Sequence, residues 1–268
     1  RTFIFYSKFY KRFFANPSPR QNLRFEQTIN DKSNFFTSLN NALQNIDGNI
    51  IIDVGANVGY WTLAFEKFIK REKYIFAIEP DSRNLAYLSF NLSESKSTQI
   101  IQTGFGESIA DLSVGMPEYL NKRGGDHVVN TGNLSVFHED CNAGNIRFTS
   151  GDKFTQGFVN DKDKILFIKI DVEGYEDDVI KGYIDSFNDF KPVIILEINP
   201  DTQELAEYNL HNVFSIFKEL SYTSLVPSNL DFVLDEQGLP NVSLNMILVQ
   251  DSLKDDFIKA MGYKIFII

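Results

Sequence analysis

A short glycine-containing stretch holds the strongest chemical signal in the sequence. The segment Ile50-Ile-Ile-Asp-Val-Gly-Ala-Asn-Val-Gly-Tyr60 predicts a buried strand that ends at Asp53 and turns into a helix through Gly55 and Gly59. Small residues let a ligand approach the backbone, and a helix N-terminus offers unpaired amides and a positive dipole end. The stretch therefore predicts a ligand-binding turn. Its glycine spacing departs from the G-x-G-x-x-G pattern of dinucleotide-binding proteins, which makes NAD the weaker choice of ligand.

An acidic residue follows the next predicted strand. Glu79 comes 26 residues after Asp53, in the segment Phe76-Ala-Ile-Glu-Pro80. An acid at this position can accept hydrogen bonds from both hydroxyls of a ribose, because sheets of this kind bind ligands at the carboxyl ends of their strands. The alternative is that Glu79 caps the next helix. Beside the glycine turn the ribose interpretation is favoured, and the two features together predict a nucleoside-like ligand.

Two later strands carry charged and amide side chains at their ends. Alternation along Ile165-Leu-Phe-Ile-Lys-Ile-Asp-Val-Glu-Gly-Tyr-Glu176 places Lys169 and Asp171 on one face. A later apolar run does the same for Glu197 and Asn199. If the two strands are neighbours, Asp171, Glu197 and Asn199 converge at one rim, where they could hold Mg²⁺ or Mn²⁺ or orient a hydroxyl. Without a cation the carboxylates should share a proton or recruit Lys169. The alternative is a structural ion-pair network with Lys169.

The elements that must position these residues alternate between helices and strands. The pattern predicts helices at 34–46, 58–71, 82–93 and near 203–220, strands at 49–54, 74–78, 98–103, 165–168 and 193–196, and β-like pieces at 222–226, 231–234 and 243–249. Such alternation implies parallel strands with helices on both sheet faces, so the predicted fold class is α/β. Residues 104–150 interrupt the alternation and predict an insert over the sheet edge, made of loops and short β-like pieces at 111–115, 127–137 and 146–149. The C-terminal pieces predict a hairpin that adds an antiparallel edge strand.

The first 33 residues are a basic and aromatic lead-in to a main domain at 34–268. Residues 1–24 contain six basic residues and no acidic one, and aromatic residues recur through residues 1–15. This pattern predicts a short amphipathic helix that docks on the body or, as the less favoured alternative, contacts an anionic membrane or an upstream domain. Because the chain begins with Arg1, we expect a preceding segment, and any signal peptide with it, to have been removed.

The composition excludes several classes of protein. A chain of 268 residues with 43% apolar and 23% charged residues is predicted to be globular, and it contains no run of 18 apolar residues that could span a membrane. The net charge of -10 argues against nucleic acid as a partner. The lone Cys141 cannot form an internal disulfide, and no group of Cys and His suggests a zinc site. A reducing, cytoplasmic location is expected, with membrane association through residues 1–15 as an option.

Four motifs together resemble the FkbM-type family of S-adenosylmethionine-dependent methyltransferases over residues of about 50 to 200. They are Asp53-Val-Gly-Ala-Asn-Val-Gly-Tyr60, Ile78-Glu-Pro80, Lys169-Ile-Asp-Val-Glu-Gly-Tyr-Glu176 and Pro192 to Glu197, in this order. The resemblance implies a class I methyltransferase fold, with a mostly parallel seven-stranded sheet of order 3-2-1-4-5-7-6 whose strand seven is antiparallel. It also implies S-adenosylmethionine as cofactor and O-methylation of a hydroxyl, commonly on a sugar, a glycan or a polyketide-like product.

The resemblance further implies roles for single residues. Asp53, Gly55, Asn57 and Gly59 are expected to hold the methionine end of the cofactor, with Tyr60 of the same motif as a further contact, Glu79 to bind the ribose, and Gly106 and Glu107 to contact the adenine. Methyl transfer is an in-line displacement in which the acceptor hydroxyl also loses its proton. The candidate bases are Asp171, His127, Lys169 and His138, and Asp171 and His127 are favoured because one ends a strand and the other lies in the glycine-rich insert. A bound cation could instead acidify the hydroxyl.

Two rival functions stay open. A nicotinamide oxidoreductase could use the same crevice, although the glycine spacing argues against it. A non-catalytic methyltransferase-like module could serve binding or assembly inside a larger glycan-processing protein. Acidic residues at the ends of apolar strands are costly to keep without a use, which favours catalysis.

Overall fold

The computed structural model describes residues 3–7, 12–16, 33–114, 144–200, 210–227, 243–262 and 265–267. The helices are α1 at residues 33–43, α2 Tyr60–Phe68, α3 Ser82–Asn91, α4 Gly151–Phe158, α5 Glu176–Lys181, α6 Ile184–Phe190, α7 Leu210–Glu219 and α8 Lys254–Met261. The strands are β1 Phe3–Ser7, β2 Arg12–Asn16, β3 Ile50–Val54, β4 Tyr74–Ile78, β5 Thr98–Ile101, β6 Gly104–Phe105, β7 Ala110–Val114, β8 Gly144–Thr149, β9 Ile165–Ile170, β10 Val193–Ile198, β11 Tyr222–Pro227, β12 Leu244–Gln250 and β13 Ile265–Ile267. Within these ranges, no helix is long and apolar enough to cross a membrane.

The main sheet has eight strands in the order β5-β4-β3-β9-β10-β12-β11-β13. The neighbours from β5 to β10 are parallel, whereas β12 runs antiparallel to both β10 and β11. Numbered along the chain, the first seven strands of this sheet have the order 3-2-1-4-5-7-6 with strand seven antiparallel, so the predicted fold class and order are confirmed. The prediction of seven strands is wrong at one edge, because β13 pairs antiparallel with β11 as an eighth strand. Strand six, β11, therefore lies inside the sheet, and β13 forms the edge.

Helices cover both faces of this sheet, and for that reason its central strands are apolar except for Asp53, Lys169 and Glu197 near their carboxyl ends. Helices α1, α2, α3 and α8 pack on one face, around residues such as Ile51 and Phe167. Helices α4 to α7 pack on the other face, around Ile52 and Ile168. Since both faces are dry, a charged side chain in a central strand is costly unless it is paired. The carboxyl ends of the strands are the place where polar groups can meet a ligand.

The predicted insert at residues 104–150 begins and ends in a small second sheet. Its order is β6-β8-β7, with β8 parallel to β6 and antiparallel to β7. The predicted pieces at 111–115 and 146–149 correspond to β7 and to the end of β8. The predicted pieces at 127–137 and 231–234, together with His127 and His138, lie outside the described residues.

The N-terminal segment is a hairpin, so the prediction of a helix over residues 1–15 is wrong. Strand β1 pairs antiparallel with β2, from Phe3 opposite Asn16 to Ser7 opposite Arg12. Phe14 and Ala15 of β2 are buried, at 1% and 4% exposure, and Ala15 is hydrogen-bonded to Asn91 of α3. In the part of the segment that is described, β2 thus docks on the body of the protein.

Candidate functional site

A cleft opens at the carboxyl ends of β3, β4, β9 and β10. It contains about 840 Å³ of free space, counting its open mouth. Its polar lining includes Asn57, Glu79, Asn84, Thr103, Asp171, Glu173 and Glu197, and its apolar lining includes Val54, Ile78, Phe105, Val114, Ile146 and Phe148. The arrangement offers a mostly apolar pocket with a few polar groups, as a nucleoside-like ligand requires.

Gly55 and Gly59 shape the turn for different reasons. Gly55 has a φ of 79°, and a Cβ placed on it would come within 1.8 Å of the backbone oxygen of Asp171. Glycine is therefore needed there for the turn to lie against the end of β9. Gly59 has a φ of 94° and precedes α2, and a Cβ on it would meet Leu88 of α3 at 2.9 Å. Gly55 lines the cleft, whereas Gly59 lets the turn pack on α3.

Asn57 places an unused hydrogen-bonding atom at the cleft. Its backbone is left-handed, with a φ of 52°, and its N–H donates to Glu79 Oε2 at 2.8 Å. Its side-chain oxygen Oδ1 is buried and has no hydrogen-bond partner among the described residues. A buried acceptor without a partner costs free energy. A ligand donor can satisfy this atom.

Glu79 is held by the protein on both of its carboxylate oxygens. Oε1 accepts from the N–H of Asp81 at 2.9 Å and from Asn84 Nδ2 at 3.2 Å, and Oε2 accepts from Asn57. Burial raises the pKa of Glu79 to about 7 against these hydrogen bonds. The N-cap of α3 is Asp81, whose side chain accepts from the N–H of Arg83, so Glu79 is not that helix's cap. Because a carboxylate has about four acceptor positions and three are in use, Glu79 has room for about one further donor, not the two that the sequence suggested.

Lys169 lies near the carboxyl end of β9 as a buried charge. Its Nζ is 2.8 Å from Asp171 Oδ2 and 3.6 Å from Asp53 Oδ1, and only 1% of the side chain is exposed. Burial alone lowers the pKa of Lys169, but the negative charges of Asp171 and Asp53 outweigh it and raise the pKa above its usual value. The amine therefore keeps its proton, which argues against Lys169 as the catalytic base. Asp53 is fully buried and accepts a hydrogen bond from Thr62 Oγ1 at 2.5 Å. It therefore supports the site from the protein interior.

Glu197 holds a proton beside Asp171. Burial, followed by the charge of Asp171 and a hydrogen bond to it, raises the pKa of Glu197 to about 10. Asn199 follows the end of β10 and is not among the residues that line the cleft. In the described ranges, no group of three or more His, Cys, Asp or Glu side chains could hold a metal ion. The ammonium of Lys169 lies 2.8 Å from Asp171 Oδ2, and its positive charge disfavours a divalent cation at that oxygen.

A second cavity of about 560 Å³ adjoins the cleft. Gly55, Asn57 and Asp171 line both spaces and so form their border. The walls of the second cavity are aromatic, with Phe36, Tyr60 and Trp61 beside Lys169. Trp61 also packs edge-on against Phe35 and Phe36, while Lys169 Nζ is 5.6 Å from its ring centre. Trp61 belongs both to the core and to this cavity.

Comparison with known proteins identifies the family. A model of the methyltransferase FkbM domain matches residues 53–224, which is more than half of the chain. This chain belongs to the FkbM methyltransferase family. The resemblance predicted from the four motifs is therefore confirmed. None of the curated proteins compared with the chain matches it.

Several solved structures resemble this FkbM protein at low identity. One is methyltransferase FkbM from Methylobacillus flagellatus KT, at 17% identity and a TM-score of 0.46, over 76% of this chain and 44% of that one, so the alignment spans less than half of its length. Another is the O-methyltransferase TomG from Streptomyces achromogenes in complex with SAM, at 8% identity and a TM-score of 0.46, over 82% and 80% of the two chains. A third is Aeropyrum pernix fibrillarin with bound S-adenosyl-L-methionine, at 10% identity and a TM-score of 0.42, over 76% and 67%. The family assignment depends on the domain match alone.

The cleft of this FkbM domain brings together some of the predicted residues and not others. Gly55, Asn57, Glu79, Asp171 and Glu197 line it. Tyr60 lines the second cavity instead. Gly106 lies against the ring of Tyr175 and Glu107 is exposed, while Thr103, Gly104 and Phe105 are the residues of that segment that reach the cleft.

Sequence reasoning missed two kinds of residue in the FkbM cleft. Phe105 and Phe148 come from the two ends of the insert, and both line the cleft only because β6 pairs with β8. Glu173 has a left-handed backbone at φ 55°, in a loop fixed by hydrogen bonds from Val172 N–H and Gly174 N–H to Glu176 Oε1. Burial, with the charge of Asp171, raises the pKa of Glu173 to about 8. The acidic residue before glycine in the run Asp-Val-Glu-Gly was the sequence signal that could have identified Glu173.

Proposed function

We propose that this protein is an S-adenosylmethionine-dependent O-methyltransferase that acts on a hydroxyl of a sugar or glycan. The observation that carries the proposal is the cleft at the strand ends, which both Glu79 and Asn57 line. The buried Oδ1 of Asn57 has no hydrogen-bond partner among the described residues. Membership of the FkbM family supports methyl transfer. The oxygen as methyl acceptor and the sugar as substrate are part of the proposal.

The residues of the cleft fit S-adenosylmethionine, which supplies a methyl group on a positively charged sulfur. Phe105 and Phe148 offer apolar surface to the adenine, and Glu79 accepts a hydrogen bond from a ribose hydroxyl. Asn57 Oδ1, at the border of the two cavities, accepts from the ammonium of the methionine end. Gly55 keeps this border open because it carries no side chain, and Tyr60 lines the space beyond it.

Asp171 is the proposed proton acceptor. It lines both cavities, so a hydroxyl placed between them can reach its carboxylate. Lys169 donates to Asp171 Oδ2 and holds the carboxylate in place, which makes Lys169 a positioning residue. The protein gains rate mainly by aligning the hydroxyl in line with the methyl group, and Asp171 takes the proton as the oxygen attacks. His127, in the insert, is the second base that we propose.

The proposed reaction uses no divalent cation at Asp171, Glu197 and Asn199. The ammonium of Lys169 already pairs with Asp171, and its positive charge disfavours a second cation beside that carboxylate. Activity in excess EDTA should therefore match activity in added magnesium or manganese. Loss of activity in EDTA and its recovery with either ion would restore the cation to the mechanism.

The groups around the border favour an uncharged acceptor rich in hydroxyls. Asp171 and the carbonyl oxygen of Glu197 can accept hydrogen bonds from hydroxyls, because the proton of Glu197 is already shared with Asp171. The aromatic rings of Tyr60 and Trp61 provide flat apolar surface beside them. Among the described residues that line the two spaces, Lys169 is the only cation, and it is already paired with Asp171 and Asp53, so none is left for a carboxylate or phosphate on the acceptor. We also propose a cytoplasmic location, since the single cysteine of the chain permits no internal disulfide.

Calorimetric titration with S-adenosylmethionine and S-adenosylhomocysteine tests the cofactor. In Asn57→Gly the backbone keeps its left-handed conformation but loses Oδ1, and we expect Kd to rise about three- to tenfold. Lys191→Gly is the matched control, because exposed Lys191 is also left-handed, at φ 51°, and lies at the end of α6. Kd in this control should stay that of the unaltered protein.

The outcome that would remove the proposal is the absence of binding of either ligand to the unaltered protein. Binding of NADH in its place would support an oxidoreductase. Binding of both adenosyl ligands with no methyl transfer to any of a panel of sugars and glycans would favour the non-catalytic module. Transfer of a labelled methyl group to a sugar hydroxyl, located by mass spectrometry, is the result we expect.

A further inference from the structure

The side chain of Asn91 joins three separate segments of the chain. Asn91 ends α3 and is only 1% exposed. Its Oδ1 accepts from the N–H of Ala15 at 2.8 Å, and its Nδ2 donates to the carbonyl oxygens of Ala15 at 3.0 Å and of Val58 at 2.8 Å. One amide thus ties the N-terminal hairpin, α3 and the glycine turn together.

The same helix supports the cofactor cleft from both of its ends. At its N-terminal end, Asn84 donates to Glu79 Oε1. At its C-terminal end, Leu88 lies under Gly59, and Asn91 holds the carbonyl of Val58, the residue directly after Asn57. Helix α3 therefore fixes the position of both groups that the cleft offers to a ligand.

The hairpin completes the set of partners that Asn91 needs. Phe14 is buried at 1% exposure and Ala15 at 4%, so water has little access to the hydrogen bonds between β2 and α3. Both N–H bonds of the Asn91 amide are used, one on each segment. If the hairpin left the surface, the amide would lose its two hydrogen bonds to Ala15 and could rotate away from Val58. The glycine turn would then lose its support from α3.

We propose that Asn91 is a positioning residue that makes binding of the cofactor depend on the docked N-terminal hairpin. Docking of the hairpin fixes the orientation of the Asn91 amide, and the amide in turn fixes the position of the Val58 carbonyl. The turn then holds Asn57 and Gly55 at the border of the two cavities. By linkage, the cofactor also stabilises the docked hairpin to the same extent. This inference depends on the proposed function, since its ligand is S-adenosylmethionine.

The test compares Asn91→Ala with Asn49→Ala. Asn49 lies before β3 at the other end of the sheet, where it donates to Asp163 and accepts from the N–H of Lys164. Both variants lose side-chain hydrogen bonds, which are buried at Asn91 and partly buried or exposed at Asn49, so both should unfold at a lower temperature, Asn91→Ala by the larger amount. Kd for S-adenosylhomocysteine, measured by calorimetry, should rise about five- to tenfold in Asn91→Ala and stay within twofold in Asn49→Ala. Asn91→Ser, which keeps one donor, should lie between Asn91→Ala and the unaltered protein, and it replaces Asn91→Ala if that variant does not fold.

Hydrogen exchange gives a readout that a loss of stability alone does not move. Exchange is followed at the Phe14 amide, which lies opposite Phe5 in the hairpin, because the Ala15 amide loses its own acceptor in Asn91→Ala. In the unaltered protein, saturating S-adenosylhomocysteine should slow exchange at Phe14, and in Asn91→Ala this protection by the ligand should disappear. Equal Kd values in the two alanine variants, or ligand protection of Phe14 that persists in Asn91→Ala, would overturn the inference while leaving the proposed function intact. Failure of the unaltered protein to bind either adenosyl ligand would overturn both.

Discussion

The two sides of the cleft hold their acidic groups in opposite ways. On one side, Glu79 is fixed by neutral donors: two backbone N–H groups and the amide of Asn84. On the other side, Asp171 is fixed by the buried ammonium of Lys169 and by a proton on Glu197. Neutral donors position a carboxylate and leave its charge available to a ligand, whereas an ammonium neutralises it.

This difference fits two tasks. The Glu79 side needs a fixed acceptor for a ribose, and local segments of chain supply it, namely a turn and the start of a helix. The Asp171 side needs a charge balance that survives burial, and strand pairing supplies it, because Lys169 lies opposite Asp53 in the register of β9 and β3. We therefore expect damage on the Asp171 side to reduce stability first, and damage on the Glu79 side to reduce affinity first.

The largest expected effect comes from Lys169→Met, which breaks the charged side. Methionine has a similar length but leaves Asp53 and Asp171 without their cation in a dry site. Unfolding in urea at pH 8 should show a loss of about 3–5 kcal/mol. Since burial already raises the pKa of Asp53, this carboxyl takes up a proton readily when the pH falls. The loss should therefore be smaller at pH 5 than at pH 8.

Lys181→Met is the control for that variant. Lys181 pairs with Asp177 at 2.7 Å, but 42% of its side chain is exposed. Pairs of this kind contribute about 0.3–0.5 kcal/mol on a helix, so the control should change little. Equal losses in the two variants would show that the burial of Lys169 has no special energetic weight.

Gly55→Ala tests the border between the two sides, with the next largest effect. The new Cβ must adopt a left-handed φ and would overlap the oxygen of Asp171. We expect a loss of about 2–4 kcal/mol in the free energy of unfolding, together with weaker cofactor binding. Gly157→Ala is the matched control, because Gly157 lies in α4 with no atom within 4 Å of its added Cβ. That change should stabilise the protein by about 0.5–1 kcal/mol, and a loss there would undermine the argument from contact at Gly55.

The two sides also differ in how far the sequence predicts them. The Glu79 side follows from a contiguous segment, since strand, turn and acid are near neighbours in the chain, and the sequence predicts it well. The sequence also predicts that Lys169 and Asp171 share a face of β9. It does not predict that Lys169 meets Asp53, because that contact depends on the register between two strands more than a hundred residues apart. The apolar wall from Phe148 depends likewise on the pairing of β8 with β6.

The N-terminal segment shows why the helix prediction was wrong. Its closely spaced aromatic residues fit a helical repeat, yet aromatic residues also favour strands. What decides is the docking of β2, whose Phe14 and Ala15 are buried and whose backbone bonds to Asn91 of α3. The partner is 76 residues away in the chain, so no local pattern reveals it.

The smallest expected effect is the pH dependence of cofactor affinity, which tests the Glu79 side of the cleft. Burial raises the pKa of Glu79 from 4.5 to about 7, so between these pH values the folded protein holds a proton that the unfolded chain has released, and stability from this group falls as the pH rises. A ribose hydroxyl prefers the ionised carboxylate, so affinity should rise with pH, by about tenfold between pH 6 and pH 8. Titrations with S-adenosylhomocysteine across this range measure the change. Glu79→Gln should bind more weakly at pH 8 and show no such rise, because glutamine does not titrate. If Glu79→Gln keeps the pH dependence of the unaltered protein, the titrating group lies on the Asp171 side of the cleft. The proposed division of tasks between Glu79 and Asp171 would then be wrong.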